Sequence, residues 1–251
     1  MLKIEHLNLT FGGLKATNDV SMHVKPNQIT ALIGPNGAGK TTLFNQIAGV
    51  YTSDSGDIFF NGKRINGLKP YQVNNLGISR TYQVINLFSD MSVLENVLVG
   101  MHPRLKSNFW KDVLHTKSMR KEEEECLKKA LELLQFVDLD DLADERAGNL
   151  SYGKQRLVEI VRGLASDPKL ILLDEPAAGM NSAEKEELNT YIRKIIDRGV
   201  TVLLVEHDMK LVMDISDDIY VIEAGRNLAS GTPKEVQNNP AVIKAYLGGD
   251  E

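Results

Sequence analysis

The residues that decide the fold form one eight-residue stretch, Gly34-Pro35-Asn36-Gly37-Ala38-Gly39-Lys40-Thr41. The stretch matches the pattern G-x-x-x-x-G-K-[ST], and it lies between an apolar run, Gln28 to Gly34, and a helical pattern, Lys40 to Gly49. In such a loop the backbone N–H groups point inward, and the helix N-terminus adds partial positive charge, so phosphates bind there. We expect the glycines to be needed because side chains would block that approach. The stretch predicts a site for a nucleoside triphosphate.

Three residues at the end of this loop have predicted ligand contacts. Lys40 is expected to reach the β- and γ-phosphates, and the Thr41 hydroxyl is expected to ligate Mg²⁺. Thr42, the next residue of the predicted helix, completes the predicted nucleotide-binding set.

A pair of acids ends a second apolar run, Leu170-Ile171-Leu172-Leu173-Asp174-Glu175. Proteins with a phosphate loop place a carboxylate at such a strand end, where Asp174 is able to hold the Mg²⁺ shell. Glu175 is positioned to orient or deprotonate the attacking water. The alternative is that two acids simply end a buried strand and cap the next segment of the chain. The presence of Lys40 upstream favours the functional interpretation.

Hydrophobic patterning along the chain predicts an α/β fold. Short apolar or alternating runs predict strands at Ile4 to Phe11, Gln28 to Gly34, Ile58 to Asn61, Leu170 to Leu173, Thr201 to Val205 and Ile219 to Ile222. Helical periods predict helices at Lys40 to Gly49, Lys121 to Val137, Gln155 to Ser166 and Ser182 to Gly199. Because the later strands are apolar throughout and alternate with a helix, they indicate a parallel sheet covered on both faces. We expect one domain over 1–251, with a core of 1–95 and 166–251 and a helical subdomain over about 96–165.

Composition excludes several classes of protein. The chain has 251 residues, 42% of them hydrophobic, and 29 Lys+Arg against 34 Asp+Glu give a net charge of −5. These values argue against disorder and against a general nucleic-acid binder. The single cysteine, Cys126, excludes an intramolecular disulfide and has no predicted role. No apolar run is long enough to cross a membrane, and the N-terminus does not match a secretion signal, so a cytoplasmic location is expected.

Five features together resemble the ABC ATPases, in the order in which that family carries them. They are the phosphate loop, Gln83 in Arg80-Thr81-Tyr82-Gln83, the segment Leu150-Ser151-Tyr152-Gly153-Lys154-Gln155, the Asp174-Glu175 pair, and His207. The resemblance implies ATP with Mg²⁺ as ligands. It also implies a mostly parallel core sheet with an antiparallel β subdomain and an inserted α-helical subdomain. Two ATPase subunits would close head to tail over two ATP molecules.

The resemblance also implies roles for individual residues. Ser151 and Gly153 would contact the γ-phosphate bound by the opposing subunit, although Ser151 is equally a plain helix N-cap, and both roles are compatible. Gln83 would approach Mg²⁺ and the attacking water and link the site to a partner protein. His207 would contact the γ-phosphate and steady Glu175. Phe11 would stack on adenine, with core packing as the alternative because it ends an alternating strand.

Departures from the family pattern indicate one branch of it. The consensus L-S-G-G-Q is here Leu-Ser-Tyr-Gly-Lys, with Tyr152 in place of glycine and Lys154 in place of glutamine, and Asn181 stands where an aspartate is usual. Segments that resemble branched-chain amino acid importer ATPases are Phe11-Gly12-Gly13-Leu14, residues 175–181, residues 206–213, and the ending from Asn239-Pro240 through Tyr246-Leu247-Gly248. This implies that the chain forms a complex with transmembrane permeases and an external solute-binding protein. It also implies that the chain is peripheral on the cytoplasmic face of the membrane.

Two alternatives remain from the sequence. Urea-uptake and lipopolysaccharide-export ATPases share parts of the pattern, so another cargo is possible, and a soluble ABC ATPase that acts on DNA or ribosomes is a different class. Single-domain length argues against the soluble class, and no nucleic-acid partner is expected. The segment His102 to Lys121 holds six basic residues and one acid. A membrane surface, a permease loop or a nucleic acid could meet it, and a solvated insertion is the simpler interpretation.

Overall fold

The structure is a computed structural model that describes residues 1–102 and 117–247. In these two ranges no helix is both long and apolar enough to span a bilayer. The strands are β1 (Leu2–Phe11), β2 (Leu14–Val24), β3 (Ile29–Ile33), β4 (Ser55–Phe60), β5 (Lys63–Arg64), β6 (Ile78–Arg80), β7 (Leu170–Asp174), β8 (Thr201–Val205), β9 (Asp218–Glu223) and β10 (Arg226–Gly231). The helices are α1 (Lys40–Ile47), α2 (Pro70–Asn75), α3 (Val93–Met101), α4 (Lys117–Gln135), α5 (Tyr152–Ala165), α6 (Ser182–Asp197), α7 (Met209–Ile215), α8 (Pro233–Gln237) and α9 (Pro240–Leu247).

The larger sheet has six strands in the order β10-β9-β3-β8-β7-β6, and only the edge strand β10 is antiparallel. Because β3, β6, β7 and β8 are parallel, their carboxyl ends lie at the same edge of the sheet. The phosphate loop follows β3, the Gln83 segment follows β6, Glu175 follows β7, and His207 lies two residues beyond β8. This edge is where ligands bind in open α/β sheets.

Both faces of this sheet are covered. Leu170 and Leu172 pack into the hydrophobic cluster that contains α1 residues, whereas Ile171 and Leu173 pack into the cluster that contains α5 and α6 residues. All five residues of β7 and of β8 are buried. The parallel, two-sided sheet predicted from the apolar runs is confirmed.

The second sheet is antiparallel, in the order β2-β1-β4-β5. Its buried side chains, which include Ile4, Val20 and Ile58, join the α1 cluster, so this sheet and the core sheet enclose α1 between them. Strand β2 was not predicted. Its residues Thr17 and Asn18 are polar, Asp19 has a positive φ of 64°, and the β1–β2 register shifts three times, so the alternation is broken.

The middle of the chain is helical where the structure describes it. No strand occurs in 96–102 or 117–164, as predicted, and α3, α4 and α5 share one hydrophobic cluster. Helix α4 includes Lys117, four residues before the predicted start. Helix α5 begins at Tyr152, three residues early, because Ser151 caps it. Most of the basic segment 102–121 lies outside the described residues.

Candidate nucleotide site

The phosphate loop closes around the side chain of Lys40. Lys40 Nζ donates hydrogen bonds to the carbonyl oxygens of Gly34 at 2.7 Å and Pro35 at 2.9 Å. Lys40 is the first residue of α1 and is 5% exposed, whereas Asn36, Gly37 and Thr41 are exposed at the mouth of the loop. Thr42 is half-buried and Ala38 is buried. The outer rim of the loop is thus exposed to solvent, and the Lys40 ammonium is buried within the loop.

The structure adds a second reason for the glycines of this loop. A Cβ on Gly34 would lie 2.0 Å from the carbonyl oxygen of Ile222 on β9, and one on Gly39 would lie 2.2 Å from that of Ala16 on β2. At Gly37 nothing lies within 4 Å, but its φ of +77° favours glycine. At Gly34 and Gly39 neighbouring strands therefore also exclude a side chain, and the expectation that these glycines clear space for phosphates stays a prediction.

The electrostatics of Lys40 depend on two opposing effects. Burial lowers the pKa of Lys40 from its usual 10.5, and the nearby carboxylates of Glu175 and Asp174 act in the opposite direction. Burial has the larger effect, because carbonyl oxygens solvate the ammonium less completely than water does.

Asp174 carries one paired and one unpaired oxygen. Arg80 Nη2 donates to Asp174 Oδ2 at 2.9 Å, and Arg80 Nη1 donates to Asn45 Oδ1 on α1 at 2.6 Å. Asp174 Oδ1 is buried and has no hydrogen-bond partner among the described residues. Burial raises the pKa of Asp174 from 3.8, against the opposing effect of Arg80. A buried unpaired carboxylate oxygen requires an explanation, and a bound cation is one.

The Glu175 carboxylate contacts two side chains that follow the neighbouring strands β6 and β8. Gln83 Nε2 donates to Glu175 Oε2 at 2.9 Å, and His207 Nε2 lies 2.6 Å from Glu175 Oε1. Glu175 has a φ of +49°, a left-handed conformation that is uncommon for a non-glycine residue. The structure thus brings together all three residues predicted as catalytic.

Glu206 supports this cluster and was missed from the sequence. Its Oε1 accepts from the Ala177 N–H at 2.7 Å and its Oε2 from the His207 N–H at 2.9 Å, so one carboxylate joins the loops after β7 and β8. Burial raises its pKa from 4.5, and these backbone donors oppose the shift. Its place directly before His207 was the available sequence signal.

Arg156 is a second supporting residue that the sequence did not reveal. It is fully buried on α5, and it donates to the carbonyl oxygens of Tyr82 at 2.6 Å and Gln83 at 2.7 Å. Glu159, three residues along the helix, pairs with it at 2.6 Å. An Arg and a Glu three residues apart on a helix are typical of an exposed pair, so the pattern does not indicate burial.

Ser151 and Gly153 make no hydrogen bond to this chain's own catalytic cluster within the described residues. Ser151 is exposed and caps α5, with its Oγ accepting from the Lys154 N–H at 3.5 Å. Gly153 is buried against α6, where an added Cβ would meet Glu184 Oε1 at 2.8 Å. Within residues 1–102 and 117–247, no hydrogen bond joins Ser151 or Gly153 to the phosphate loop, Gln83 or Glu175. The N-cap interpretation of Ser151 is confirmed.

Phe11 is not a core residue. It is 46% exposed, and its ring makes an edge contact with Tyr51, with centroids 5.3 Å apart and planes at 73°. The core-packing alternative is therefore wrong, and nearly half of the Phe11 surface is exposed.

Comparison with known proteins shows which family the chain is similar to. The family model described as ABC transporter matches residues 17–178, and one described as Branched-chain amino acid ATP-binding cassette transporter matches residues 226–251. The chain is 45% identical over 249 residues to the High-affinity branched-chain amino acid transport ATP-binding protein LivG of Escherichia coli K12, with 99% of this chain and 98% of LivG covered. BraF of Pseudomonas aeruginosa, which carries the same description, gives the same identity and coverage.

A solved structure is similar over the whole chain. It is described as the ADP conformation of MJ1267, an ATP-binding cassette of an ABC transporter, and it has a TM-score of 0.87 and 35% identity with 99% and 98% of the two chains covered. The predicted fold class and the predicted ATPase activity are thereby confirmed. The chain belongs to the ABC transporter family, as one of its nucleotide-binding ATPase subunits.

Proposed function

We propose that this chain is the ATP-hydrolysing subunit of an importer for branched-chain, hydrophobic amino acids and that it drives a separate membrane permease. The observation that carries the hydrolysis is the Glu175 carboxylate, held by Gln83 and His207 at the ends of neighbouring strands. The cargo is supported by the 45% identity to LivG and by the match of residues 226–251 to the branched-chain amino acid model.

The nucleotide would bind at the rim of the phosphate loop. Lys40 would exchange the carbonyl oxygens of Gly34 and Pro35 for phosphate oxygens, which favour its charged form and offset the effect of burial. The other loop residues, Asn36 to Gly39, would supply backbone N–H groups, and Thr42 would add a hydroxyl near the same rim. Phe11, with its exposed ring, is proposed to stack on the base.

The residues present fit Mg²⁺. Asp174 Oδ1 is buried and unpaired, and the Thr41 side chain is exposed at the start of α1, so both offer oxygen ligands together with Gln83. Among the described residues no group of three or more acidic, His or Cys side chains could hold a metal alone, so we propose that phosphate oxygens complete the shell. When bound, Mg²⁺ neutralises charge that develops on the phosphates.

Glu175 is proposed to orient the attacking water and accept its proton. Hydrogen bonds from Gln83 and His207 occupy one site on each oxygen, and each oxygen keeps further acceptor capacity for a water. The left-handed backbone at Glu175 and the Glu206 contacts to Ala177 and His207 fix where this carboxylate points.

Two such subunits are proposed to close head to tail over two ATP molecules. Support comes from the position of Ser151, which is exposed at the N-terminus of a 14-residue helix and makes no hydrogen bond to the phosphate loop of its own chain within the described residues. The free N–H groups of that terminus are suited to an anion. The second subunit would be identical or a related ATPase.

The permease is proposed to dock in a groove beside the Gln83 segment. The groove has a volume of about 870 Å³ and runs between the core sheet and the helices α2, α3 and α5. Its wall includes the exposed apolar side chains of Tyr82, Phe88 and Val99. A permease segment seated there would contact Tyr82, directly before Gln83. We therefore propose a peripheral location on the cytoplasmic face of the membrane, with an external solute-binding protein as an indirect partner and no nucleic acid.

One experiment tests partner and cargo together. The chain is used as bait in detergent-solubilised native membranes, and the recovered proteins are identified by mass spectrometry. We expect multi-span permeases, and proteoliposomes rebuilt from the recovered complex should take up leucine when supplied with ATP. Recovery of ribosomes or DNA-bound proteins would overturn the transport role. Uptake of urea but not leucine would overturn the cargo.

A further inference from the structure

Tyr152 contacts the loop that follows Glu175. A Cβ built on Gly179 would lie 3.2 Å from Tyr152 Cε1 and 3.6 Å from its Cδ1 and Cζ, so the edge of the ring lies directly over that glycine. Gly179 has a φ of +77° and lies four residues after Glu175. The tyrosine stands where the family consensus has a glycine, which has no side chain to make this contact.

The other end of the same side chain reaches Arg156. Arg156 Nη2 donates to Tyr152 Oη at 3.4 Å, and the guanidinium carbon lies 6.0 Å from the ring centroid. Because Arg156 is fully buried, its charge depends on hydrogen bonds within the protein. Two of the acceptors are the main-chain carbonyls of Tyr82 and Gln83. Tyr152 therefore lies against the residue that fixes the backbone at Gln83.

These contacts form a closed ring. Gln83 donates to Glu175, and the chain continues from Glu175 to Gly179. Gly179 is adjacent to the Tyr152 ring, and the Tyr152 hydroxyl accepts from Arg156. Arg156 in turn donates to the Gln83 carbonyl oxygen. We propose that Tyr152 is a positioning residue for ATP hydrolysis, which holds the Gln83 segment and the loop 176–181 in the one arrangement where Gln83 meets Glu175. The proposal rests on the roles of Glu175 and Gln83 proposed above.

A different role for Tyr152 is a direct contact with the nucleotide of the opposing subunit, since it is 44% exposed and adjacent to Ser151. The two roles predict different behaviour of these loops when no nucleotide is bound. A positioning residue constrains both loops in the free subunit, whereas a nucleotide contact has no effect until the dimer closes.

Amide hydrogen exchange on the nucleotide-free chain separates these roles. In Tyr152→Ala we expect peptides covering 80–86 and 176–181 to exchange about tenfold faster, because both ends of the contact are lost. In Tyr152→Phe only 80–86 should change, and by less, since the ring over Gly179 remains. Tyr220→Phe is the matched control, because Tyr220 Oη contacts the backbone of His23 on β2, outside the ring of contacts. Wild-type exchange in both segments of Tyr152→Ala would overturn the proposal, as would faster exchange spread evenly over α6 and β8.

Kinetics supply the second measurement. Tyr152→Ala should lower kcat for ATP about tenfold with KM within about twofold, because the phosphate loop is untouched. In a Gln83→Ala background, Tyr152→Ala should lower kcat by less than about twofold, because the two residues act through one arrangement. Full additivity would overturn the proposal. Failure of the proposed function is distinguishable, because it would appear as wild-type hydrolysis by Glu175→Gln, whatever the exchange result at Tyr152.

Discussion

Arg80 Nη2 lies 2.9 Å from Asp174 Oδ2, and this buried ion pair joins the ends of the neighbouring parallel strands β6 and β7. Arg80 Nη1 donates to Asn45 Oδ1 on α1, the helix that begins with Lys40. The guanidinium carbon also lies 5.2 Å from the centre of the Tyr82 ring, next to Gln83. One side chain thus connects the phosphate-loop helix, the proposed magnesium ligand Asp174 and the Gln83 segment.

Removal of Arg80 should destabilise the fold strongly. Arg80→Ala leaves Asp174 buried without its partner, and breaking a buried ion pair costs about 3–5 kcal/mol in the free energy of unfolding. Urea denaturation near pH 7 measures this. The control is Arg64→Ala, which removes an exposed pair with Asp57 and should cost no more than about 1 kcal/mol. Equal losses in both variants would contradict the importance of the buried pair.

The same variant should change the pH dependence of stability. Burial already raises the pKa of Asp174 above 3.8 and Arg80 opposes the rise, so Arg80→Ala should raise that pKa further. A carboxyl with a raised folded pKa stabilises the fold in its protonated form, and this stability is lost as pH rises from about 3.8 through the raised value. Midpoints measured from pH 4 to 8 should therefore fall more in the variant than in the wild type. Adding Asp174→Asn should flatten the difference.

The sequence predicted the elements whose signals are local. The phosphate loop, the apolar strands β7 and β8, and the capping by Ser151 depend on a few adjacent residues. Glu175 was predicted from the acid pair that ends β7, whereas Gln83 and His207 came from the family order, because no local pattern places a lone Gln or His at a site.

The missed features depend on residues distant in sequence. Arg156 bonds to Gln83 across 73 positions and Glu206 to Ala177 across 29, so neither contact has a local signature. Gly34 is a glycine because β9 passes beside it, which only the sheet order reveals. Strand β10 was not predicted because only two of its six residues, Leu228 and Ala229, are apolar, and none is fully buried.

Two glycines of the phosphate loop should respond differently to substitution. Gly34→Ala forces a Cβ to within 2.0 Å of the Ile222 carbonyl oxygen, so β3 and β9 must separate. Gly37→Ala meets nothing within 4 Å and carries only the strain of its φ, about 1–2 kcal/mol. Urea denaturation should show the larger loss for Gly34→Ala, with ATP binding lost as well. A larger loss for Gly37→Ala would contradict this assignment.

Glu175→Gln should separate binding from hydrolysis. The amide keeps the shape of the side chain but cannot accept a proton from water, so we expect the rate of a single turnover to fall about 10²–10⁴-fold. The Kd for ATP should stay within about twofold, because Lys40 and the loop are unchanged. Glu5→Gln on β1 removes an exposed carboxylate outside the catalytic cluster and is the control. Wild-type turnover by Glu175→Gln would exclude Glu175 as the general base.

ATP binding should take up protons at alkaline pH through Lys40. In the free chain burial lowers the pKa of Lys40 below 10.5, and phosphate oxygens raise it in the complex, so between the two values the complex binds more protons. Affinity should therefore fall as pH rises through the pKa of the free chain, at lower pH than for an ordinary lysine. Titration calorimetry in two buffers of different ionisation enthalpy measures the uptake. Lys40→Arg, whose guanidinium stays charged, should show none of it. Identical apparent enthalpies for the wild type in both buffers would contradict the prediction.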